Sequence, residues 1–195
     1  MGKIRLYADN ACDLDLEFLE LQVKLFYMPV TIKDKTYRDR LTINPGKFYS
    51  LIAEPGVIPM TAQITPVEFQ EEFERVMKES DDDIIYIAFS SGLSGTYQSA
   101  CIVRDMVNPE RITVIDSESA SVGYGLTVIK AAHDIAAGKS KEEVIAGIKD
   151  NIERIQHIFI VGNFEMLKRG GRISATSAAL GNLLNIKLIA HFIDG

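Results

Sequence analysis

Three short runs constrain this chain more than anything else in it: Ile4-Arg5-Leu6-Tyr7-Ala8, Ile84-Ile85-Tyr86-Ile87-Ala88-Phe89 and Ile112-Thr113-Val114-Ile115. Each has the alternation or the unbroken apolar character of a strand, and each is followed by a stretch with helical spacing. A run that is apolar throughout, such as 84–89, suits a strand covered on both faces, and strands alternating with helices at this spacing imply a mostly parallel sheet with helices on both sides. The expected class is therefore α/β. In such sheets ligands collect at the carboxyl ends of the strands. Those ends read Asp9-Asn10, Ser90-Ser91 and Asp116-Ser117, with Gly162-Asn163 after a further strand over Ile158 to Val161.

The remaining segments fill in the order. Leu14, Phe18, Leu21 and Leu25 carry helical spacing over Asp13 to Leu25, Phe26 to Ile32 reads as a second strand, and Lys33-Asp34-Lys35 reads as a turn into Thr36-Tyr37. Asn44-Pro45 opens a short helix through Phe48 and Leu51, and Pro55 to Gln63 reads as a loop. Thr65-Pro66-Val67-Glu68 combines a capping box with a proline at the first helical position, so a helix is expected to about Lys78. Helices are also expected from about Ser94 to Val107, from Ser121 to near Gly138, and after the cap Ser140-Lys141-Glu142-Glu143.

Beyond Gly162 the texture changes. Lys168-Arg169-Gly170-Gly171-Arg172 breaks a short helix, Ser174 to Leu184 resumes one, and Ile186 to Ile193 reads as a strand. Asp194-Gly195 is a hairpin-turn signal with no partner strand after it. The domains expected are 1–162, an α/β unit, and 163–195, the truncated beginning of a second, smaller α/β domain.

Composition narrows the function. With 47% apolar residues the 195-residue chain can bury a sizeable core, and a net charge of −6 with scattered cations argues against nucleic acid. No stretch approaches the roughly 18 apolar residues that span a bilayer, and there is no signal peptide, so a cytoplasmic protein without an integral membrane segment is expected. Cys12 and Cys101 suit a reducing compartment as small core residues. His133, His157 and His191 have no metal-ligand partner at i+3 or i+4, so no metal is expected.

The stretch Ser90 to Ser99, SSGLSGTYQS, carries the chemistry. It is not a phosphate-binding loop, because no lysine occurs between Lys78 and Lys130. Gly123-Tyr124-Gly125 offers only two glycines of a dinucleotide fingerprint, and Gly92-Leu93-Ser94-Gly95 has its second glycine one residue too early for a nucleophile elbow. Beside a serine hydrolase, which would need a base or metal that the sequence does not offer, two readings stay open. In one, Ser94 merely caps a helix. In the other, the amides of a helix start, close backbone approach at Gly92 and Gly95, and the hydroxyls of Ser91 and Ser94 hold a small oxyanion such as a carboxylate.

Several segments together resemble the DegV family of bacterial fatty-acid-binding proteins: ADNACDLD (8–15), MTAQITPVEF (60–69), SSGLSGTYQSA (90–100), VIDSESASVGYG (114–125), KRGGRIS (168–174) and LGNLLNIK (180–187), in the family's order and over the whole chain. The resemblance implies an acyl chain in a tunnel between the two domains and a carrier rather than a catalyst, which presents the fatty acid to a separate fatty acid kinase subunit. No catalytic residue and no cofactor are implied; the bound long-chain fatty acid is the ligand. Its carboxylate would be held by Thr61, Ser94 and Ser91, with Arg172 adding charge near the head group or to kinase docking. Asp9 would organise its loop, Gln63, Gly92 and Gly95 would shape the site, and Leu93, Ile173, Leu180, Leu183, Leu184 and Ile186 are candidates for the tunnel wall.

The chain departs from the family pattern in two ways. Ala62 and Ile64 replace a serine and a proline, which removes a hydroxyl and loosens the loop. Family members also continue past residue 195 with a late histidine-containing segment near the head group. A chain ending there would expose an apolar tunnel side and a strand edge, so self-association through that edge, or a longer natural protein, is expected. The alternative reading is a regulatory or interaction module with a vestigial lipid site.

Overall fold

A computed structural model describes residues 2–14, 21–161, 165–172 and 188–191. The chain divides into two compact units, 1–155 with Gly195 and 156–194.

The first unit is built on a four-stranded, wholly parallel sheet. Strands β1 (Ile4–Asp9), β2 (Val23–Phe26), β6 (Asp83–Ala88) and β7 (Ile112–Asp116) lie in the order β2-β1-β6-β7. Tyr7 pairs with Tyr86, Leu6 with Val23, and Ala88 with Asp116. Alternation along the strands sends side chains to two separate cores. Leu6, Ala8, Ile85, Ile87 and Ile115 pack on one face against Tyr124, Val128 and Ala131 of helix α4 (Ser121–Ala136) and Val144 and Ile148 of α5 (Lys141–Arg154). Tyr7, Ile84, Tyr86, Ala88, Ile112 and Val114 pack on the other against Phe69, Phe73 and Val76 of α2 (Pro66–Glu79) and Ala100 and Val103 of α3 (Thr96–Val107). The unbroken apolar run of β6 follows from this, since both its faces are covered.

Between β2 and α2 the chain makes a small antiparallel sheet, β3 (Pro29–Ile32), β4 (Lys35–Arg38) and β5 (Met60–Thr61), in the order β4-β3-β5. Helix α1 (Pro45–Ile52) lies over it through Phe48, Leu51 and Ile52 against Val30, Ile32 and Ile43. The caps expected from sequence are present: Asn44 accepts from Lys47 N–H, and Thr65 and Ser140 both close capping boxes.

Four expectations are corrected. The helix expected to Leu25 has given way by Val23 to β2, with Gln22 at φ 58°; residues 15–20 lie outside the described residues. The strand expected over 26–32 is two strands in two sheets, separated at Tyr27-Met28, where Met28 N–H is taken by Asn10 Oδ1. The loop expected over 55–63 contains β5, made by Val30 pairing with Thr61 and Thr31 with Met60. Helix α3 starts at Thr96 rather than near Ser94, with Gly95 as its cap and no side-chain bond from that residue.

In the second unit β8 (Ile158–Val161) pairs antiparallel with β9 (Leu188–His191), and helix α6 (Glu165–Arg169) ends at Gly170-Gly171, with Gly171 at φ 74°. Gly162-Asn163, the helix over 174–184 and the turn at 194–195 lie outside the described residues.

Candidate functional site at the carboxyl edge of the sheet

Because the sheet is parallel, the ends of β1, β6 and β7 lie side by side on one edge, and three polar groups lock them together. Asp9 is wholly buried. Its Oδ2 accepts from Tyr86 OH at 2.8 Å and from Phe89 N–H at 3.0 Å, and its Oδ1 accepts from Ala11 N–H at 3.1 Å. Tyr124 OH accepts from Asp9 N–H at 2.9 Å and donates to the Ile87 carbonyl. Burial pushes the Asp9 carboxyl up to about 6, the donors around it pulling the other way. Asp9 thus ties the loop after β1 to the residue that enters the serine-rich turn, and does so without facing solvent.

The turn itself is ordered from within. Ser90 is buried; its carbonyl accepts from Leu93 and Ser94 N–H at 3.1 Å each, and its hydroxyl accepts from Gly92 N–H at 3.1 Å. Asp116, at the end of β7, accepts Ser91 N–H on both oxygens at 3.1 and 3.3 Å, and Glu118 N–H at 3.0 Å. Three non-glycine residues on this edge, Asp13, Glu118 and Ser121, have φ of 52°, 50° and 50°. Such strain persists where surrounding bonds over-determine the backbone, and here Ser121 Oγ donates to Asp13 Oδ2 at 2.6 Å while Arg40 bonds Asp13 Oδ1 at 2.9 Å.

The segment after β5 docks on the start of α3. Gln63 Nε2 donates to Ser99 Oγ at 3.0 Å, Ile64 N–H donates to Thr96 Oγ1 at 3.2 Å, and a Cβ on Gly95 would lie 2.0 Å from Gln63 Oε1. A side chain at 95 would therefore displace the Gln63 amide from its bond to Ser99.

The structure sorts the candidate hydroxyls. Ser94 Oγ, half-buried, lies 2.9 Å from Thr96 Oγ1 and accepts from Thr96 N–H at 3.2 Å. It supports the first turn from one position ahead of the cap. The hydroxyls of Ser91 and of Thr61, an exposed residue on β5, make no hydrogen bond among the described residues. Gln63, Gly92, Leu93, Ser91, Ser94 and Gly95 belong to one cluster with Ser99 and Thr96. Arg172 is described only within the second unit, where it bonds the Gly170 carbonyl, and Ile173, Leu180, Leu183, Leu184 and Ile186 lie outside the described residues.

Sequence reasoning missed Asp116 as the brace of Ser91, the pair Tyr86 and Tyr124 on Asp9, and Thr96. The first was visible only as a polar strand end. The N–H groups of Ser91, Gly92, Leu93, Ser94 and Thr96 are bonded to Asp116, Ser90 and Ser94, so these amides, which the sequence offered to an oxyanion, are already engaged, and the donors left for one are side-chain hydroxyls. Among the described residues no cluster could hold a metal, and no helix is long and apolar enough to cross a membrane. Cys12 is buried and Cys101 half-buried, both as free thiols; burial pushes the Cys12 thiol up to about 12. Two surface cavities of about 310 and 370 Å³ open toward the opposite, amino edge, one between the last turns of α2 and α3 and one beside Lys3, Lys24 and Arg75. Neither touches this cluster.

Residues 3–195 match the family described as "uncharacterised protein, DegV family". A DegV domain-containing protein of Caldanaerobacter subterraneus subsp. tengcongensis is 41% identical, across 100% of this chain and 69% of its own length. Two solved structures superpose closely. One, titled as fatty acid binding of a DegV family protein from Thermus thermophilus, is 33% identical with a TM-score of 0.86, over 98% of this chain and 68% of its own. The other, titled DegV, a fatty acid binding protein from Bacillus subtilis, is 30% identical with a TM-score of 0.86, over 99% and 69%.

Proposed function

Because the chain belongs to the DegV family, we propose that it binds a long-chain fatty acid in the cytoplasm and presents it to a fatty acid kinase, itself catalysing nothing. The carboxylate is held by the hydroxyls of Ser91, Ser94 and Thr61 beside the Gln63 amide, with Arg172 adding charge. Leu93, Ile173 and Leu184 are the residues assigned to its acyl tail. The observation that carries this reading is that the hydroxyls of Ser91, at the carboxyl edge of the parallel sheet, and of Thr61, on β5, make no hydrogen bond among the described residues. The fatty acids bound by the Thermus and Bacillus proteins support it.

Native mass spectrometry of the purified protein, with extraction of any lipid, tests it. A bound fatty acid is expected, lost in the T61A/S94A variant, and a kinase subunit with ATP should convert it to the acyl phosphate. An empty protein that also refuses added fatty acid would favour an interaction module, and the same spectra report whether copies associate.

A further inference from the structure

Thr96 is wholly buried, and its hydroxyl has one proton to place. It already accepts Ile64 N–H at 3.2 Å, and the other hydroxyl beside it is Ser94 Oγ at 2.9 Å. Two arrangements are open to the pair. If Ser94 donates to Thr96, the buried Thr96 proton has no acceptor among the described residues, which buried polar groups avoid. If Thr96 donates to Ser94, every group is satisfied: Ser94 Oγ then accepts twice, from the Thr96 hydroxyl and from Thr96 N–H at 3.2 Å, and its own proton is turned outward.

We infer that Thr96 is a positioning residue that fixes Ser94 as an outward hydrogen-bond donor and so sets the site's preference for an ionised acid over a neutral lipid of the same chain. The inference rests on the carrier reading and deepens it. A carboxylate accepts from Ser94 with the gain of a charge-assisted bond, whereas an ester carbonyl accepts more weakly. Thr96 touches no ligand in this scheme. Its influence passes through Ser94 alone.

The test compares stearate with methyl stearate, binding constants being measured for the wild-type protein and for T96V, T96S, S94A and S94A/T96V. T96V should weaken stearate roughly tenfold and methyl stearate by less than about twofold. T96S should keep the wild-type ratio, and S94A/T96V should be no weaker than S94A. Equal loss of acid and ester in T96V, or a T96S variant as impaired as T96V, would overturn the role of Thr96 while leaving the carrier reading intact. A wild-type protein that binds neither lipid overturns both. Should T96V fail to fold, T96A removes the same donor without added bulk and reads the same ratio.

Discussion

Asp9 shows how one side chain can organise a site at a cost to stability. A carboxylate with no exposure to water loses its hydration, and the Tyr86 hydroxyl with two backbone amides offsets part of that loss. Its folded value of about 6 stands above the ordinary 3.8, so between the two the native state binds a proton that the unfolded chain has released. Stability from this group is therefore full below about pH 4 and is lost as pH rises through 6. Glu72 and Asp134, which their cation partners hold low against the opposing effect of burial, act in the opposite sense and only below their unfolded values near 4. The window from about 4.5 to 6 therefore belongs to Asp9, apart from His157, which any comparison shares. Unfolding free energies from urea titrations across that window should fall with a slope of up to about 1.4 kcal/mol per pH unit in the wild type relative to D9N. Superimposable profiles would mean that Asp9 is ionised in the fold without penalty.

At the scale of elements, what the sequence revealed depended on the range of the interaction. The capping boxes at Thr65 and Ser140 are complete within four residues, and the helices they open start where the spacing puts them. Residues 21–26 misled because Leu21 and Leu25 fit a helical period, whereas Val23 and Leu25 face one core and Phe26 the other as a strand requires. β5 had no local signal at all; two residues become a strand only because Val30 and Thr31 stand opposite. The site divides in the same way. Ser91, Ser94 and Gln63 lie in compact motifs and were legible, while Asp116 reaches Ser91 across 25 residues and could be seen only in space. Gly125 shows a local rule overruled by distance. Alanine in mid-helix is worth about 1 kcal/mol over glycine, so sequence alone makes G125A stabilising. Yet its Cβ would lie 2.4 Å from the Cys12 carbonyl oxygen, a backbone atom of the loop that follows β1. Overpacking against backbone costs about 1–3 kcal/mol, so G125A should lower the stability found by chemical denaturation. A gain would show that the loop can retreat.

For the whole molecule, the decisive fact is where the apolar mass sits. All three described cores are made from residues between Ile4 and Ile152, so the first unit has what it needs to fold alone. The second unit presents a two-stranded antiparallel sheet whose Ile158 and Ile160 are 71% and 64% exposed, and a lone pair of strands is marginal in water. On the carrier reading the first unit supplies hydroxyls for the head group, and we propose that the tail draws on residues beyond Ile155. Burying a methylene is worth about 0.8 kcal/mol, close to fourfold in affinity. Binding constants for saturated acids of increasing length should therefore tighten about fourfold per added carbon in the full chain, until the apolar surface is filled. A piece ending at Ile155 should stay folded by circular dichroism but bind every length with the same weak affinity. A steep dependence retained by that piece would place the tail within the first unit. A flat response from the full chain would mean that no apolar surface holds the tail, and the hydroxyls at the sheet edge would then have to serve a short carboxylate.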